Sequence, residues 1–131
     1  MGNLLSMIGN INGLLHLKGA NDAQIAEAEN KLGLKFDSEY KLYLKEFGCV
    51  TFGNHELMGL NTSDRLSVVY VTKFERKRKG SFPANMYVLE IINDGDIIIM
   101  QNEMGGIFEL DESGNSKKIF QSLEAYLENL I

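Results

Sequence analysis

Apolar residues repeat at helical spacing through the first part of the chain. Over residues 4–15 they recur at intervals of three and four, which predicts a helix that Gly9 and Gly13 weaken. A second helix is predicted over residues 22–32, because a capping-box pattern precedes its first apolar position and Gly33 follows its last. The chain is therefore expected to begin with two helices.

A third helix is predicted over residues 38–47. Asp37 or Ser38 can cap its first turn, and Gly48 can end it. Its large apolar side chains form one stripe at positions i, i+3, i+4 and i+7: Tyr40, Tyr43, Leu44 and Phe47. Because aromatic rings bury much surface per residue, the stripe indicates packing against a sheet and not a cofactor site.

The second half of the chain has the pattern of a strand meander. Residues 86–92, 97–101 and 106–111 are apolar segments of strand length. Turn residues separate them at 93–96 and again follow at 112–115. Three antiparallel strands joined by tight turns are therefore expected.

Three further segments complete the pattern. Residues 50–60 suit one or two short strands, and residues 119–131 predict a closing amphipathic helix. Residues 66–79 are ambiguous, since β-branched content favours a strand whereas length, the candidate cap Asp64 and a basic end favour a helix. The order of elements predicts one α+β domain, with helices packed against a twisted antiparallel sheet.

Composition narrows the function classes. The 131 residues are 44% hydrophobic and 24% charged, which is ordinary for a globular domain, and the formal net charge is −5. An acidic chain is a poor binder of nucleic acid, so a basic protein partner is expected instead. The sequence has no apolar run long enough to span a membrane, and its single cysteine excludes an intrachain disulfide. A cytoplasmic location without membrane association is expected.

The residue types that carry most catalytic and metal chemistry are sparse. His16 and His55 are the only histidines, and neither has a second ligand at metal spacing. Cys49 is expected to be a buried structural thiol. No phosphate-binding glycine loop is present, so we predict no cofactor, no metal site and no enzymatic activity.

Charge is unevenly distributed along the second half of the chain. Five basic residues lie between positions 73 and 79, whereas residues 80–116 contain no Lys or Arg. Exposed acids in that second segment are the predicted partner-binding residues: Asp94, Asp96, Glu103, Glu109, Asp111 and Glu112. Two interpretations remain open, a solvated surface that confers solubility or an acidic surface that steers a basic partner.

Two runs of the chain resemble a known family. The run AEAENKLGLKFDSEYKLYLKEFGC resembles the signature of the SUKH superfamily, the Smi/Knr-like proteins named after yeast cell-wall synthesis regulators. The positions that match are Glu29, Leu32, Gly33, Tyr40, Leu44 and Gly48. The run PANMYVLEIINDGDIIIMQNEMGGIFELD resembles the family's second block. Asp37 and Cys49 depart from the pattern, where the family often has Pro and a second Gly.

The resemblance extends over roughly residues 20–130 of the single domain expected for residues 1–131, which leaves an N-terminal helical extension. It implies that residues 66–79 are helical. It also implies a binding role without shared catalytic residues, most often as a bacterial immunity protein that silences a cognate toxin domain. We therefore expect a toxin partner, such as a basic nuclease. The alternatives are a cytosolic adaptor of the yeast-regulator kind and, with least support, a small hydrolase using surface carboxylates.

Overall fold

The computed structural model describes residues 3–131, which form helices and two antiparallel sheets. The helices are α1 (Leu4–Gly9), α2 (Asp22–Leu32), α3 (Ser38–Phe47), α4 (Val68–Arg78) and α5 (Leu123–Leu130). The strands are β1 (Leu15–His16), β2 (Val50–Phe52), β3 (His55–Leu57), β4 (Met86–Ile92), β5 (Ile97–Asn102), β6 (Ile107–Asp111) and β7 (Ser116–Phe120). The small sheet has the order β1-β2-β3 and the main sheet β4-β5-β6-β7. This architecture confirms the α+β prediction.

Local capping sets the bounds of α2. The side chain of Asn21 accepts a hydrogen bond from the backbone N–H of Gln24, and the side chain of Gln24 accepts one from the N–H of Asn21. Gly33 ends the helix in the left-handed conformation at φ 67°. The predicted capping box and the predicted stop are both confirmed. They stabilise the helix because the backbone groups at its ends would otherwise lack hydrogen-bond partners.

Helix α3 is held by its aromatic stripe, which is confirmed as core. Asp37 caps the helix by accepting from the N–H of Glu39 at 3.0 Å. The four stripe residues are buried, and the Tyr40 hydroxyl donates to the carbonyl of Met58 at 2.8 Å. The ring of Tyr40 also lies 4.9 Å from that of Tyr87 on β4. These contacts dock α3 on both sheets.

The ambiguous segment is helical, as the family resemblance implies. A short 3-10 turn at Asp64–Leu66 precedes α4, and the residue that caps α4 is Ser67, whose hydroxyl accepts from the N–H of Tyr70 at 3.2 Å. The expectation that Asp64 caps this helix was therefore wrong. The β-branched residues Val71 and Thr72 lie on the buried side of α4, where they pack against β4.

Strand β7 was missed in the sequence pattern. Residues 119–131 were expected to form one helix, but Ile119 and Phe120 end β7, and α5 begins only at Leu123. Ser122 separates the strand from the helix, because its hydroxyl accepts a hydrogen bond from the N–H of Ala125 and so caps α5. The main sheet consequently has four strands, one more than predicted.

The N-terminal helix is shorter than its apolar spacing predicts. Helix α1 ends at Gly9, and Gly13 turns the chain with φ at 77°. Leu15 and His16 then pair with Thr51 and Val50 on β2. A left-handed glycine cannot continue a helix, so the apolar residues beyond it serve a strand and a turn instead.

Two hydrogen bonds satisfy backbone groups of β4 that face away from β5. The N–H of Val88 donates to the hydroxyl of Thr72 at 3.0 Å, and the carbonyl of Leu89 accepts from Met58 at 2.8 Å. Helix α4 and the end of β3 therefore cover this side. The turns and the outer strand β7 remain accessible.

Candidate functional site

Four of the predicted acidic residues come together at one end of the main sheet. Asp94 and Asp96 lie in the β4–β5 turn, and Asp111 and Glu112 lie where β6 passes into the β6–β7 turn. Alternate turns of an antiparallel meander lie at the same end of the sheet, and the pairing of Ile97 with Asp111 places the two turns side by side. We call these four residues the acidic end.

The β4–β5 turn holds its carboxylates outward. Asn93 and Asp94 adopt the left-handed conformation, with φ at 55° and 54°, and the N–H of Asp96 donates to the carbonyl of Asn93 at 3.1 Å. Both aspartate side chains are exposed. The predicted tight turn at 93–96 is confirmed, and Gly95 in it also has a positive φ, at 104°. Asn and Asp tolerate the left-handed region better than most other residues.

The second turn is ordered by Asp111 itself. Its Oδ1 accepts from the N–H of Ser113 at 3.0 Å and from the N–H of Asn115 at 2.9 Å. Gly114 takes the left-handed conformation, with φ at 88°. Asp111 is half-buried in this turn, whereas Glu112 is exposed. The turn therefore fixes one carboxylate and presents the other to solvent.

The acidic end lacks compensating cations. Some acids elsewhere in the molecule have basic partners, in the pairs Asp22–Lys45, Glu27–Lys31, Glu29–Lys35, Glu29–Lys41, Glu56–Arg65 and Glu75–Arg78. Over residues 3–131, none of the four acidic-end carboxylates forms such a pair. Their negative potential is therefore available to a partner.

A pocket of about 250 Å³ opens beside Asp94. Its apolar lining comes from Met58, Leu66 and Ile91. Glu56 lies in its wall, where Arg65 donates to both carboxylate oxygens at 2.7 and 2.9 Å. Those hydrogen bonds lower the pKa of Glu56 below its ordinary value. The pocket can accept the aliphatic stem of a Lys or Arg, whose charged head would then reach Asp94.

The other two predicted binding residues lie elsewhere. Glu103 is exposed in the β5–β6 turn, at the opposite end of the main sheet. Glu109 is half-buried in β6 opposite Lys117, and it lines a groove beside Tyr126 of α5. The length of the sheet therefore separates Glu103 from the acidic end, whereas Glu109 lies only two residues from Asp111 along β6.

Glu90 belongs to the same acidic run but is buried. Its carboxylate accepts from the Tyr126 hydroxyl at 2.5 Å and lies 2.8 Å from Nδ1 of His55. Burial, followed by the adjacent Glu90 charge, raises the pKa of Tyr126 well above its ordinary value. A buried carboxylate requires such partners, so this network joins β3, β4 and α5.

A β-bulge explains why the pattern of β4 did not reveal this network. Val88 pairs with Met100 and Glu90 with Ile99, so Leu89 is an extra residue. Beyond the bulge, Glu90 points to the face opposite that of Val88, although their spacing of two predicts a shared face. The only signal in the sequence was a single carboxylate within the apolar run of β4.

The remaining candidates for chemistry have structural surroundings. Cys49 is buried, its thiol donates to the carbonyl of Leu57 at 3.2 Å, and burial raises its pKa above the ordinary value. His16 is exposed and contacts the ring of Phe47. Within residues 3–131, no group of three or more His, Cys, Asp and Glu side chains could hold a metal ion. The same part of the chain contains no helix long and apolar enough to cross a membrane.

The comparisons with known proteins agree with the resemblance noted in the sequence. The SUKH_5 family model, described as SMI1-KNR4 cell-wall, matches residues 1–131. No protein of curated function matches the chain significantly. Because the family model extends over the whole sequence, this chain belongs to the SMI1-KNR4 family of the SUKH superfamily.

Proposed function

We propose that this protein is an immunity protein that binds a cognate toxin domain and blocks its cationic active-site cleft. The observation that carries the proposal is the acidic end, where four carboxylates without basic partners lie on two adjacent turns. Family membership supports a binding role, since the resemblance in the sequence implies immunity proteins. A toxin that acts on nucleic acid presents the positive surface that such an inhibitor requires.

The acidic end would accelerate association before it adds affinity. Exposed like charges on one surface attract an oppositely charged cleft over about a Debye length, roughly 10 Å at 0.1 M salt. The turns are already ordered, by the left-handed Asn93 and Asp94 and by the hydrogen bonds to Asp111. Binding would therefore cost little further conformational entropy.

The pocket beside Asp94 gives this surface a site for a specific side chain. Asp94 is one of its lining residues, and Met58 and Ile91 form part of its apolar lining. A toxin Lys or Arg could place its apolar stem on these residues and pair its charge with Asp94. In this arrangement the inhibitor blocks substrate access and performs no reaction of its own.

The test takes the protein encoded by the adjacent gene as the candidate toxin and measures its association rate with this chain against ionic strength. The triple variant Asp94→Lys, Asp96→Lys, Glu112→Lys should slow association by at least about tenfold at low salt and flatten its salt dependence. Asp111 is left unchanged because its carboxylate orders a turn.

Glu103→Lys is the matched control, since this exposed acid lies at the opposite end of the sheet. It should retain most of the wild-type rate at every ionic strength. Superimposable curves for wild type and the triple variant would overturn the proposal that the acidic end docks the toxin. Absence of any binding to the neighbouring toxin domain would overturn the immunity function itself.

A further inference from the structure

Helix α4 exposes aromatic rings and lysines in one stripe. Tyr70, Lys73, Phe74 and Lys77 follow the spacing i, i+3, i+4 and i+7, on the side away from the buried Val71 and Thr72. The two aromatic residues are 52% and 51% exposed. We call these four residues the α4 stripe. Two half-exposed aromatic side chains one helical turn apart are typical of the centre of a protein interface.

A cleft of about 490 Å³ adjoins the stripe between α2 and α4. Its apolar lining includes Ala28, Leu60 and Val69, and its charged lining consists of the acids Glu27 and Asp64 and the lysines Lys31 and Lys73. Tyr70 and Lys73 also line it, so the cleft and the stripe share one surface of the molecule. This surface therefore carries both projecting aromatic side chains and a concavity that could receive them.

The α4 stripe carries two cations, and the cleft offers two acids in addition to Lys31. Within residues 3–131, Lys73 and Lys77 form no ion pair, and neither does Asp64. Glu27 has only an exposed contact with Lys31 at 3.8 Å. Exposed pairs of that kind contribute little, so both acids of the cleft can accept a new cation.

We propose that two copies of this chain form a two-fold symmetric dimer, in which the α4 stripe of each copy enters the α2–α4 cleft of the other. In such a dimer, Tyr70 and Phe74 pack on the apolar lining of the opposite cleft. Lys73 and Lys77 meet Asp64 and Glu27. Because stripe and cleft lie on one surface, a single axis makes both contacts and the assembly closes at two copies. The inference does not depend on the toxin proposal.

Single-stranded nucleic acid is the other class of partner that rings and lysines could attract. The observations favour a second copy for two reasons. The acids Glu27 and Asp64 lie directly beside the stripe and would repel phosphates, and the whole chain carries a net charge of −5.

Sedimentation equilibrium of the purified full chain over a wide concentration range tests the dimer. Wild type should show a monomer–dimer equilibrium with no larger species. Phe74→Ala should raise the dimer dissociation constant by about a hundredfold, because each of two equivalent contacts loses about tenfold. Leu42→Ala is the control, since Leu42 is also 47% exposed but lies on α3, and it should leave the constant unchanged.

Charge reversal provides a second test that leaves the apolar contacts intact. Lys73→Glu and Asp64→Lys should each dissociate the dimer, because either change places like charges across the interface. An equimolar mixture of the two variants should form a heterodimer, in which one contact has both charges reversed and the other is wild type. Circular dichroism verifies that each variant is folded.

Three outcomes would overturn the proposal. The first is wild type that stays monomeric at every concentration, and the second is a dimer that Phe74→Ala and both charge variants leave unchanged. The third uses a single-stranded oligonucleotide as probe. Monomeric wild type that binds it, with binding lost in Lys73→Glu, would assign the stripe to nucleic acid.

Discussion

The signature segment, residues 29–48, and the acidic end use their polar groups in opposite ways. In the signature segment the Glu29 carboxylate accepts from the N–H of Phe36 at 2.8 Å, and the Tyr40 hydroxyl donates to Met58 at 2.8 Å. Gly48 lies so close to Lys18 that a Cβ there would stand 2.2 Å from its carbonyl oxygen. At the acidic end the exposed carboxylates form no ion pair with any basic side chain of residues 3–131.

The difference separates what identifies the family from what a partner can contact. The residues of the signature are engaged inside the molecule, so they define the fold. The unpaired carboxylates of the acidic end lie on the surface, on turns whose positions the fold determines. Substitutions in the first region should therefore change stability, and substitutions in the second should change binding.

The largest expected effect tests the signature segment. Tyr40→Ala and Phe47→Ala should each lower the free energy of unfolding by about 3–5 kcal/mol, because both side chains are buried and truncation leaves a cavity. Urea denaturation monitored by circular dichroism measures the change. Near-wild-type stability in both variants would contradict the assignment of this stripe to the core.

An intermediate effect is expected at Glu90, which lies within the acidic run yet resembles the signature segment in its burial. Glu90→Leu leaves the Tyr126 hydroxyl without its partner and should cost about 1–3 kcal/mol of stability. Glu109→Leu is the matched control on the same sheet face, half-buried opposite Lys117, and it should cost less. Equal effects of the two changes in thermal or urea unfolding would contradict the special role of Glu90.

The smallest effect is expected at the acidic end. The triple variant Asp94→Lys, Asp96→Lys, Glu112→Lys should lower the free energy of unfolding by only about 1 kcal/mol, since exposed unpaired charges contribute little to folding and the one backbone cost is that of Lys in the left-handed conformation of Asp94. Urea denaturation again measures this change. A loss comparable to that of Tyr40→Ala would mean that the acidic end is part of the folding framework, which would remove the contrast between the two regions.

Local signals predicted the helices well where their caps are local. The Asn21–Gln24 capping box, the Gly33 stop and the Tyr40–Phe47 stripe all depend on neighbouring residues, and all are confirmed. The error at β7 has a physical reason, since a five-residue strand of mainly polar residues has almost no apolar alternation. Its two apolar residues, Ile119 and Phe120, continued the helical spacing of α5 and were assigned to it.

The candidate site was predictable in composition but not in arrangement. The acidic run is visible in the sequence, and the order of a meander already places Glu103 at the end opposite Asp94; strand register is what shows that Asp111 lies beside the β4–β5 turn. The bulge at Leu89 hides Glu90 from any reading based on alternation. The α4 stripe and the cleft beside it depend on how α2 packs against α4, which no local pattern encodes.

The lysines of β7 affect the tendency of this protein to aggregate at high concentration in a cell. Strand β7 is the last in the main sheet, and its Lys117 and Lys118 are exposed. An uncovered outer strand is a template on which sheets of separate molecules can join and precipitate. Charged side chains oppose that joining, because adding another sheet would bring lysines together and strip them of water. The chain should therefore remain dispersed when it is made in excess, even when the outer strand of every copy lies open.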